Sequence, residues 1–261
     1  MLKPDYAVVT GLAPAHLNQY GTLASIAKDF SYITNYVPVD KIYINGSDVE
    51  LVDTFKGSVS YSKNGVGGWK VRDTAIHASG TTFTLTKKSK SISVASGLLG
   101  IHQVGPLAVV AEIADRLSIP LQKIESGLAK TIPFEHRMQP RHLGGALLID
   151  DTYNGNIEGI KAGIALLRDL PAKRRIYVTP GLVEQGELTE SVHTQIGELL
   201  AVESFDEIVL MKNAMTKFIE AGLAKSGYTG TITVETNPLE YYKNLEFHVA
   251  AGDVVMMQND L

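Results

Sequence analysis

The feature that most constrains this chain is a regular alternation of short apolar runs and amphipathic segments after residue 145. The predicted strands are residues 146–150, 175–179, 207–211, 231–234 and 253–257, with helices such as 157–170 and 189–202 between them. Alternation of this kind favours a mostly parallel sheet covered by helices. Continuous apolar strands such as residues 208–211 are typical of burial on both faces of the sheet. The sequence therefore predicts an α/β domain in this half.

The first 130 residues follow a different pattern. They predict a strand at 6–10, a helix capped by Thr22 that runs to about residue 32, and a strand at 41–44. Residues 57–94 form short alternating runs broken by glycine pairs such as Gly67-Gly68, which indicates antiparallel hairpins. Helices at 104–117 and 121–130 follow. Because Pro133 interrupts helix, residues 131–135 are the predicted linker between domains 1–132 and 133–261.

Residues 147–156, with the sequence LLIDDTYNGN, carry the most chemical information. Asp150 and Asp151 stand at the carboxyl end of a predicted strand, which is where open α/β sheets bind ligands. The turn 154–156 can tolerate unusual backbone angles and can cap the helix that follows. The alternative is a plain strand–turn–helix junction in which the two acids are solvated caps.

Composition excludes several classes of function. The formal net charge of −4 gives no electrostatic footprint for nucleic acid. The chain has no cysteine, which excludes disulfides, a thiol nucleophile and a thiolate metal site. No apolar run reaches the roughly 18 residues of a membrane span, and the first residues have no signal-peptide pattern. These properties are compatible with a cytoplasmic protein.

Four segments together resemble the Mur ligases, the ATP-dependent amide-forming enzymes of peptidoglycan synthesis. The decamer at 147–156 is similar to a segment of the family's C-terminal domain that reads Asp-Asp-Ser-Tyr-Asn-Ala-Asn. The other three segments are His136-Arg137-Met138-Gln139 at the family's domain junction, Glu184-Gln185-Gly186 followed by His193, and Ala15-His16-Leu17 followed by Gly21. The resemblance covers residues from about 3 to the last.

The resemblance implies both an architecture and a reaction. Residues 1–132 would be the latter half of a central ATPase domain with a hairpin-rich extension, and 133–261 a Rossmann-like C-terminal domain. The family's phosphate loop and UDP-sugar domain would precede residue 1, and no Gly-x-x-x-x-Gly-Lys-Ser/Thr occurs in the chain. ATP with Mg²⁺ would phosphorylate a carboxylate of a UDP-muramoyl peptide, and a D-alanyl-D-alanine-like amine would attack the acyl phosphate. A separate chain that carries the phosphate loop is then an expected partner.

The resemblance also assigns roles to individual residues. His16 would bind magnesium, and Arg137 would bind the ATP phosphates. Asp151, which stands beside Asp150, would bind a ribose hydroxyl. His102 lies in the segment that contacts adenine in the family. Tyr153, Asn154 and Asn156 would order their turn and contact nucleotide or amine, and Glu184 and His193 match a catalytic motif. The decamer bend and the His16 loop would then converge on one metal-bound triphosphate. Each of these functional roles has a structural alternative. His16 would be an ordinary surface histidine, Arg137 would form a salt bridge, Asn154 and Asn156 would be local caps, and His193 would be packed in the core.

Three positions depart from the family pattern. Phe30 stands where the family has a metal-bridging carbamylated lysine, and Lys28 would point roughly 200° away on a helix. Pro106 replaces an adenine-contacting asparagine and has no side-chain amide. Residues 257–259, Met-Gln-Asn, replace the family's Lys-Gly-Ser-Arg. A catalytically inactive scaffold or binding module is therefore a second hypothesis. A free-standing Rossmann-like binding module is a third hypothesis, in which dinucleotide binding has little support because no Gly-x-Gly-x-x-Gly follows any strand.

Overall fold

The chain divides into two compact units, Met1–Ile132 and Pro133–Leu261. The computed structural model describes residues 3–13 and 20–259. Within these residues each unit has its own sheet and its own hydrophobic core. No helix within these residues has the length and apolar character needed to cross a bilayer.

The first unit is built on a sheet of seven strands among the described residues, arranged in chain order. The strands are β1 (Ala7–Val9), β2 (Ile42–Asn45), β3 (Val59–Ser62), β4 (Gly65–Val66), β5 (Trp69–His77), β6 (Gly80–Lys87) and β7 (Lys90–Ser96). The first three strands are parallel, and β3 to β7 pair antiparallel through tight turns. The structure therefore confirms the predicted change from an α/β pattern to hairpins.

Four α-helices accompany this sheet in the described residues. They are α1 (Leu23–Ser31), α2 (Val49–Thr54), α3 (Val104–Arg116) and α4 (Leu121–Leu128). Thr22 caps α1 as predicted, because its hydroxyl accepts a hydrogen bond from the Ser25 N–H at 3.2 Å. The helix α2 was not predicted; it is short, and Asp48 caps it by accepting from the Leu51 N–H.

The second unit is an open, twisted α/β sheet, as the strand alternation predicts. Its strands are β8 (Gln139–Leu143), β9 (Ala146–Asp151), β10 (Arg174–Thr179), β11 (Glu207–Met211), β12 (Thr231–Glu235) and β13 (Asp253–Gln258). The order across the sheet is β12-β11-β10-β13-β9-β8. All neighbours are parallel except β8, which pairs antiparallel with β9 at the edge.

Helices cover both faces of this second sheet. The helices are α5 (Ile157–Asp169), α6 (Thr189–Glu203), α7 (Thr216–Lys225), α8 (Pro238–Lys243) and α9 (Leu245–His248). The chain passes from β9 through β12 in one direction and then returns to β13, so right-handed crossovers place α5–α7 on one face and α8–α9 on the other. Tyr241 and Leu245 pack with Leu148, Val255 and Met257 on the α8–α9 face.

Candidate functional site

The loops that carry the predicted motifs follow three adjacent strands of the second unit. The strands β10, β13 and β9 are neighbours and run parallel, so residues 152–156, 180–188 and 259 emerge at the same edge of the sheet. This edge is the carboxyl end, where open α/β sheets bind ligands. The structure thus brings the decamer and the Glu184 loop together.

The two acids of the decamer point to opposite faces of the sheet. Successive side chains of a strand alternate between faces, and the pairing register sets Asp150 beside Met257 and Asp151 beside Gln258. Asp150 therefore faces α8–α9, while Asp151 faces α5. Both are buried, with 2% and 9% of their surface exposed. The alternative in which they are solvated caps is wrong.

Asp150 has hydrogen bonds to both of its oxygens. Oδ2 accepts from His136 Nδ1 at 2.9 Å and from Arg141 Nη1 at 3.2 Å. Oδ1 accepts from the Thr152 N–H at 3.3 Å and its hydroxyl at 2.7 Å. Burial alone would raise the pKa of Asp150, but the hydrogen bonds from Thr152, His136 and Arg141 together hold that pKa below its usual value. The carboxylate is ionised, so His136 Nδ1 is the proton donor of the pair.

Asp151 belongs to a second, separate hydrogen-bond network. Its Oδ1 accepts from the Met138 N–H at 3.1 Å, and its Oδ2 from Gln258 Nε2 at 2.8 Å. Gln258 also donates to the Gly159 carbonyl and accepts from the Tyr177 hydroxyl at 2.6 Å. Burial raises the pKa of Asp151, and the hydrogen bonds from Gln258 and Met138 offset only part of that rise.

The segment 136–138 forms a strained turn that joins the two acids. His136 and Met138 have φ values of 58° and 47°, a left-handed conformation that costs non-glycine residues about 1–2 kcal/mol each. The His136 side chain binds Asp150, and the Met138 N–H binds Asp151. The structure therefore brings the junction motif and the decamer into direct contact, and both acids hold the turn in place.

Arg137 lies at the middle of this turn with its side chain exposed. Its Nη1 donates to the Asn154 carbonyl at 3.0 Å, and its guanidinium lies 4.5 Å from the centre of the Tyr153 ring. No ion pair of the described residues includes Arg137, so the salt bridge considered as an alternative is absent from that part of the chain. Tyr153 is 58% exposed, and the pair forms a cation–π platform on the surface.

The turn 154–156 caps the next helix without unusual backbone angles. Asn156 is the N-cap of α5 and accepts from the Gly159 N–H at 2.9 Å, as predicted. No residue of this turn has a positive φ, so the turn does not use the conformational freedom of its glycine. Gly155 is required by close packing instead: a Cβ there would overlap the side-chain amide of Asn259 and approach Leu182 to 2.9 Å.

The two residues with predicted catalytic roles lie in the loop after β10 and in the helix α6 that follows it. Glu184 is exposed and has a φ of 57°. His193 on α6 is fully buried; its Nδ1 donates to the Thr189 carbonyl at 2.6 Å and its Nε2 accepts from the Leu182 N–H at 2.9 Å. Burial lowers the pKa of His193. Nδ1 is held within α6 and Nε2 holds the loop at Leu182, which favours the packed role of His193. The catalytic role of Glu184 and His193 stays a prediction.

The remaining predicted residues belong to the first unit. His102 lies in a short 3-10 turn, where burial lowers its pKa to about 4 and its Nδ1 is buried without a hydrogen-bond partner. Pro106 follows in the first turn of α3. His16 lies outside the described residues. Phe30 and Lys28 are both exposed on α1. No three histidine or acidic side chains of the described residues cluster as a metal site.

Two residues that organise this site were not identified as functional from the sequence. Gln258 and Asn259 were noted only as departures from the family pattern, yet they anchor Asp151 and Thr179. The available signal was the length of β13: a strand predicted to end at residue 257 extends to Gln258, which places a polar side chain opposite Asp151. Pairing register cannot be read from one strand alone.

Comparison with known proteins assigns both units. Residues 1–114 match the Mur ligase middle domain, and residues 136–258 match the glutamate ligase domain of Mur ligases. The UDP-N-acetylmuramoyl-tripeptide–D-alanyl-D-alanine ligase of Escherichia coli is 28% identical over 218 residues, which is 80% of this chain and 48% of that protein. The chain thus spans about half the length of the curated relatives it matches.

Solved structures agree with this assignment at the level of the fold. MurF from Acinetobacter baumannii superposes with a TM-score of 0.79 at 19% identity, covering 99% of this chain and 57% of that one. MurF from Thermotoga maritima, solved in complex with ADP, gives a TM-score of 0.78 at 22% identity, covering 98% and 58%. With domain-model matches along both units and this common fold, the chain belongs to the Mur ligase family.

Proposed function

We propose that this chain is part of an ATP-dependent amide ligase of peptidoglycan precursor synthesis. The ligase adds a D-alanyl-D-alanine-like amine to a UDP-muramoyl peptide through an acyl phosphate, in the cytoplasm. The observation that carries the proposal is the strained turn 136–138, fixed by both acids at the carboxyl end of β9 in a unit that matches the glutamate ligase domain. Strain of this kind is concentrated at functional sites.

The residues at this edge fit an ATP phosphate better than a ribose. Arg137 is exposed and uses one N–H on the Asn154 carbonyl, so further donors of its planar fork can bind phosphate oxygens. Asp151 fits a ribose hydroxyl less well, because only 9% of its surface is exposed and its oxygens are turned toward Met138 and Gln258. Mg²⁺ would enter with the nucleotide, since this ion is usually held by phosphates and few protein ligands. The proposed role of His16 lies outside the described residues.

The test supplies this chain with ATP, Mg²⁺, a UDP-muramoyl tripeptide and D-alanyl-D-alanine, with and without an upstream chain that carries a phosphate loop. We expect coupled ADP release and amide formation only in the mixture. Arg137→Met should reduce that turnover, whereas Arg168→Met, which removes an exposed arginine of α5, should not. Turnover by this chain alone, or none with any such partner, would count against the proposal.

A catalytically inactive scaffold is the second candidate. It is favoured by the burial of Asp151 against Gln258 and by Phe30, which cannot bind metal at the position of the family's bridging lysine. On this hypothesis the chain binds nucleotide or a cell-wall protein without turnover. Calorimetry with ATP and Mg²⁺ measures the binding, and any detectable amide formation refutes the scaffold.

A further inference from the structure

The strand β1 is an open edge of the sheet in the first unit. It stands first in the strand order, so β2 is its one strand partner among the described residues. Its sequence, Ala7-Val8-Val9, is apolar at every position. The N–H and C=O groups on the outer side of an edge strand are unpaired, which makes the edge a template for a further strand.

The other three edge strands of the described sheets carry residues that oppose such pairing. β8 contains Pro140 and Arg141, β7 begins with Lys90, and β12 ends with Glu235. Charged side chains and proline are the usual means by which proteins keep edge strands from pairing with other chains. β1 contains neither, so it is the least protected of the four edges.

Burial falls sharply from β2 to β1, although both strands are apolar. The pairing register sets Ala7, Val8 and Val9 beside residues 42–44 of β2. Those β2 residues are at most 1% exposed, whereas Val8 is 42% exposed and its two neighbours are half-buried. Parallel strands are normally buried on both faces. β1 therefore has the composition of an interior strand but the burial of an edge.

Two hydrophobic cores reach β1, one on each face of the sheet. Ala7 and Val9 pack against the core that includes α1. Tyr6 packs against the core on the opposite face, which contains Tyr43, the partner of Val8 in the register. A strand added beyond β1 would continue both cores, so it must be apolar on both of its faces. A strand with one polar face, as in a surface hairpin, does not fit.

We propose that β1 pairs with a parallel strand, apolar on both faces, from the chain that supplies the phosphate loop to the proposed ligase. The direction follows from β1, β2 and β3, which are all parallel. The partner rests on the proposed function: residues 1–114 match the Mur ligase middle domain, yet the chain contains no Gly-x-x-x-x-Gly-Lys-Ser/Thr and spans about half the length of its curated relatives. Because β1 is short, burial of side chains such as Val8 supplies most of the affinity.

Size-exclusion chromatography with light scattering tests this docking edge on the full chain. The probe is the part of the Escherichia coli ligase that precedes its segment equivalent to β1, where the family's phosphate loop is expected. We expect a one-to-one complex in which the amides of residues 7–9 exchange with solvent more slowly than in the free chain.

Two matched variants assign the contact to β1. Val8→Lys should weaken the complex at least about tenfold, because it places a charge where apolar side chains meet. It should fold normally, since Val8 is exposed in the free chain, and urea unfolding checks this. Ile232→Lys makes the same kind of change on β12, where Ile232 is 40% exposed on an edge strand of the second unit, and should leave the complex unchanged.

The outcomes separate the docking edge from the ligase reaction. Absence of a complex, a complex that Val8→Lys does not weaken, or unchanged amide exchange at residues 7–9 would overturn the proposal. A homodimer of this chain that Val8→Lys dissociates would also overturn it, because a second copy would then occupy the edge. A Val8-dependent complex that forms no amide with ATP, Mg²⁺ and both substrates retains the docking edge and counts against the proposed function.

Discussion

Gln258 joins three buried polar groups, so its removal should be far more costly than the loss of an ordinary surface amide. It donates to Asp151 and to the Gly159 carbonyl and accepts from the Tyr177 hydroxyl. Gln258 is 1% exposed and Tyr177 fully buried. In Gln258→Leu the apolar side chain keeps a similar length but leaves all three groups without this partner, and water has little access to replace it.

The expected loss of stability in Gln258→Leu follows from the buried Asp151 charge that remains. Removing one partner of a buried charge such as Asp151 costs about 3–5 kcal/mol of folding free energy. The Tyr177 hydroxyl and the Gly159 carbonyl, each left without a hydrogen bond, add to that cost. Burial already holds the pKa of Asp151 above its unfolded value, and loss of the Gln258 hydrogen bond raises this pKa further. A carboxyl group with a raised folded pKa binds its proton more tightly when folded, so its unfavourable effect grows as pH rises above the unfolded value of about 4. The loss in Gln258→Leu should therefore be larger at pH 7 than near pH 4.5.

Urea unfolding of both proteins across this pH range measures the difference. Asp151→Asn in the Gln258→Leu background should recover part of the stability at pH 7, because it removes the buried charge. Gln195→Leu makes the same substitution at an exposed position of α6 and should stay within about 0.5 kcal/mol of the parent. A loss in Gln258→Leu below about 1 kcal/mol, or one that is constant with pH, would refute the reasoning.

Three further substitutions test the packing and charge of the units by the same unfolding assay. Gly155→Ala should destabilise the second unit by about 1–3 kcal/mol because its Cβ would overlap Asn259, and an unchanged midpoint would contradict the close approach. Asn156→Ala should cost about 1 kcal/mol through loss of the α5 cap, while Asn156→Asp should retain most of the stability. Glu112→Leu should cost only about 1 kcal/mol, because Lys87 keeps its ion pair with Asp115 and the Arg116 side chain is 40% exposed, so neither cation is left buried and unpaired; a loss above about 3 kcal/mol would contradict this reasoning.

The elements with strong local patterns could be predicted from the sequence. The strand 207–211 and the Thr22 cap are found where the apolar run and the capping residue place them. The strand β8 could not be predicted, since Gln139-Pro140-Arg141-His142 has no apolar alternation. It is an edge strand held by pairing with β9, and proline is tolerated at such an edge. Its existence depends on tertiary contacts rather than on its own sequence.

The residues of the candidate site could be predicted from the sequence, but the side chains that contact them could not. The decamer identified Asp150 and Asp151, and the two-residue period of a strand already implies that adjacent acids face opposite sides. What a single sequence does not reveal is which side chains stand opposite them. Gln258 is 107 residues away from Asp151 and meets it only through the β9–β13 register. The sheet face that Asp150 shares with Leu148 is likewise covered by α8 and α9, which are distant in sequence.

The strained turn links these observations to the proposed nucleotide site. The left-handed angles of His136 and Met138 persist because Asp150 and Asp151 bind them, and Arg137 between them is thereby presented at the surface. Because only 9% of Asp151 is exposed, a ribose hydroxyl could reach its carboxylate only if the contacts with Met138 and Gln258 rearranged. Nucleotide binding through Asp151 would therefore loosen the turn that positions Arg137, whereas binding through Arg137 and Tyr153 alone would leave it intact. The geometry favours Arg137 and Tyr153 as the first contacts, with Asp151 acting as the anchor of the turn.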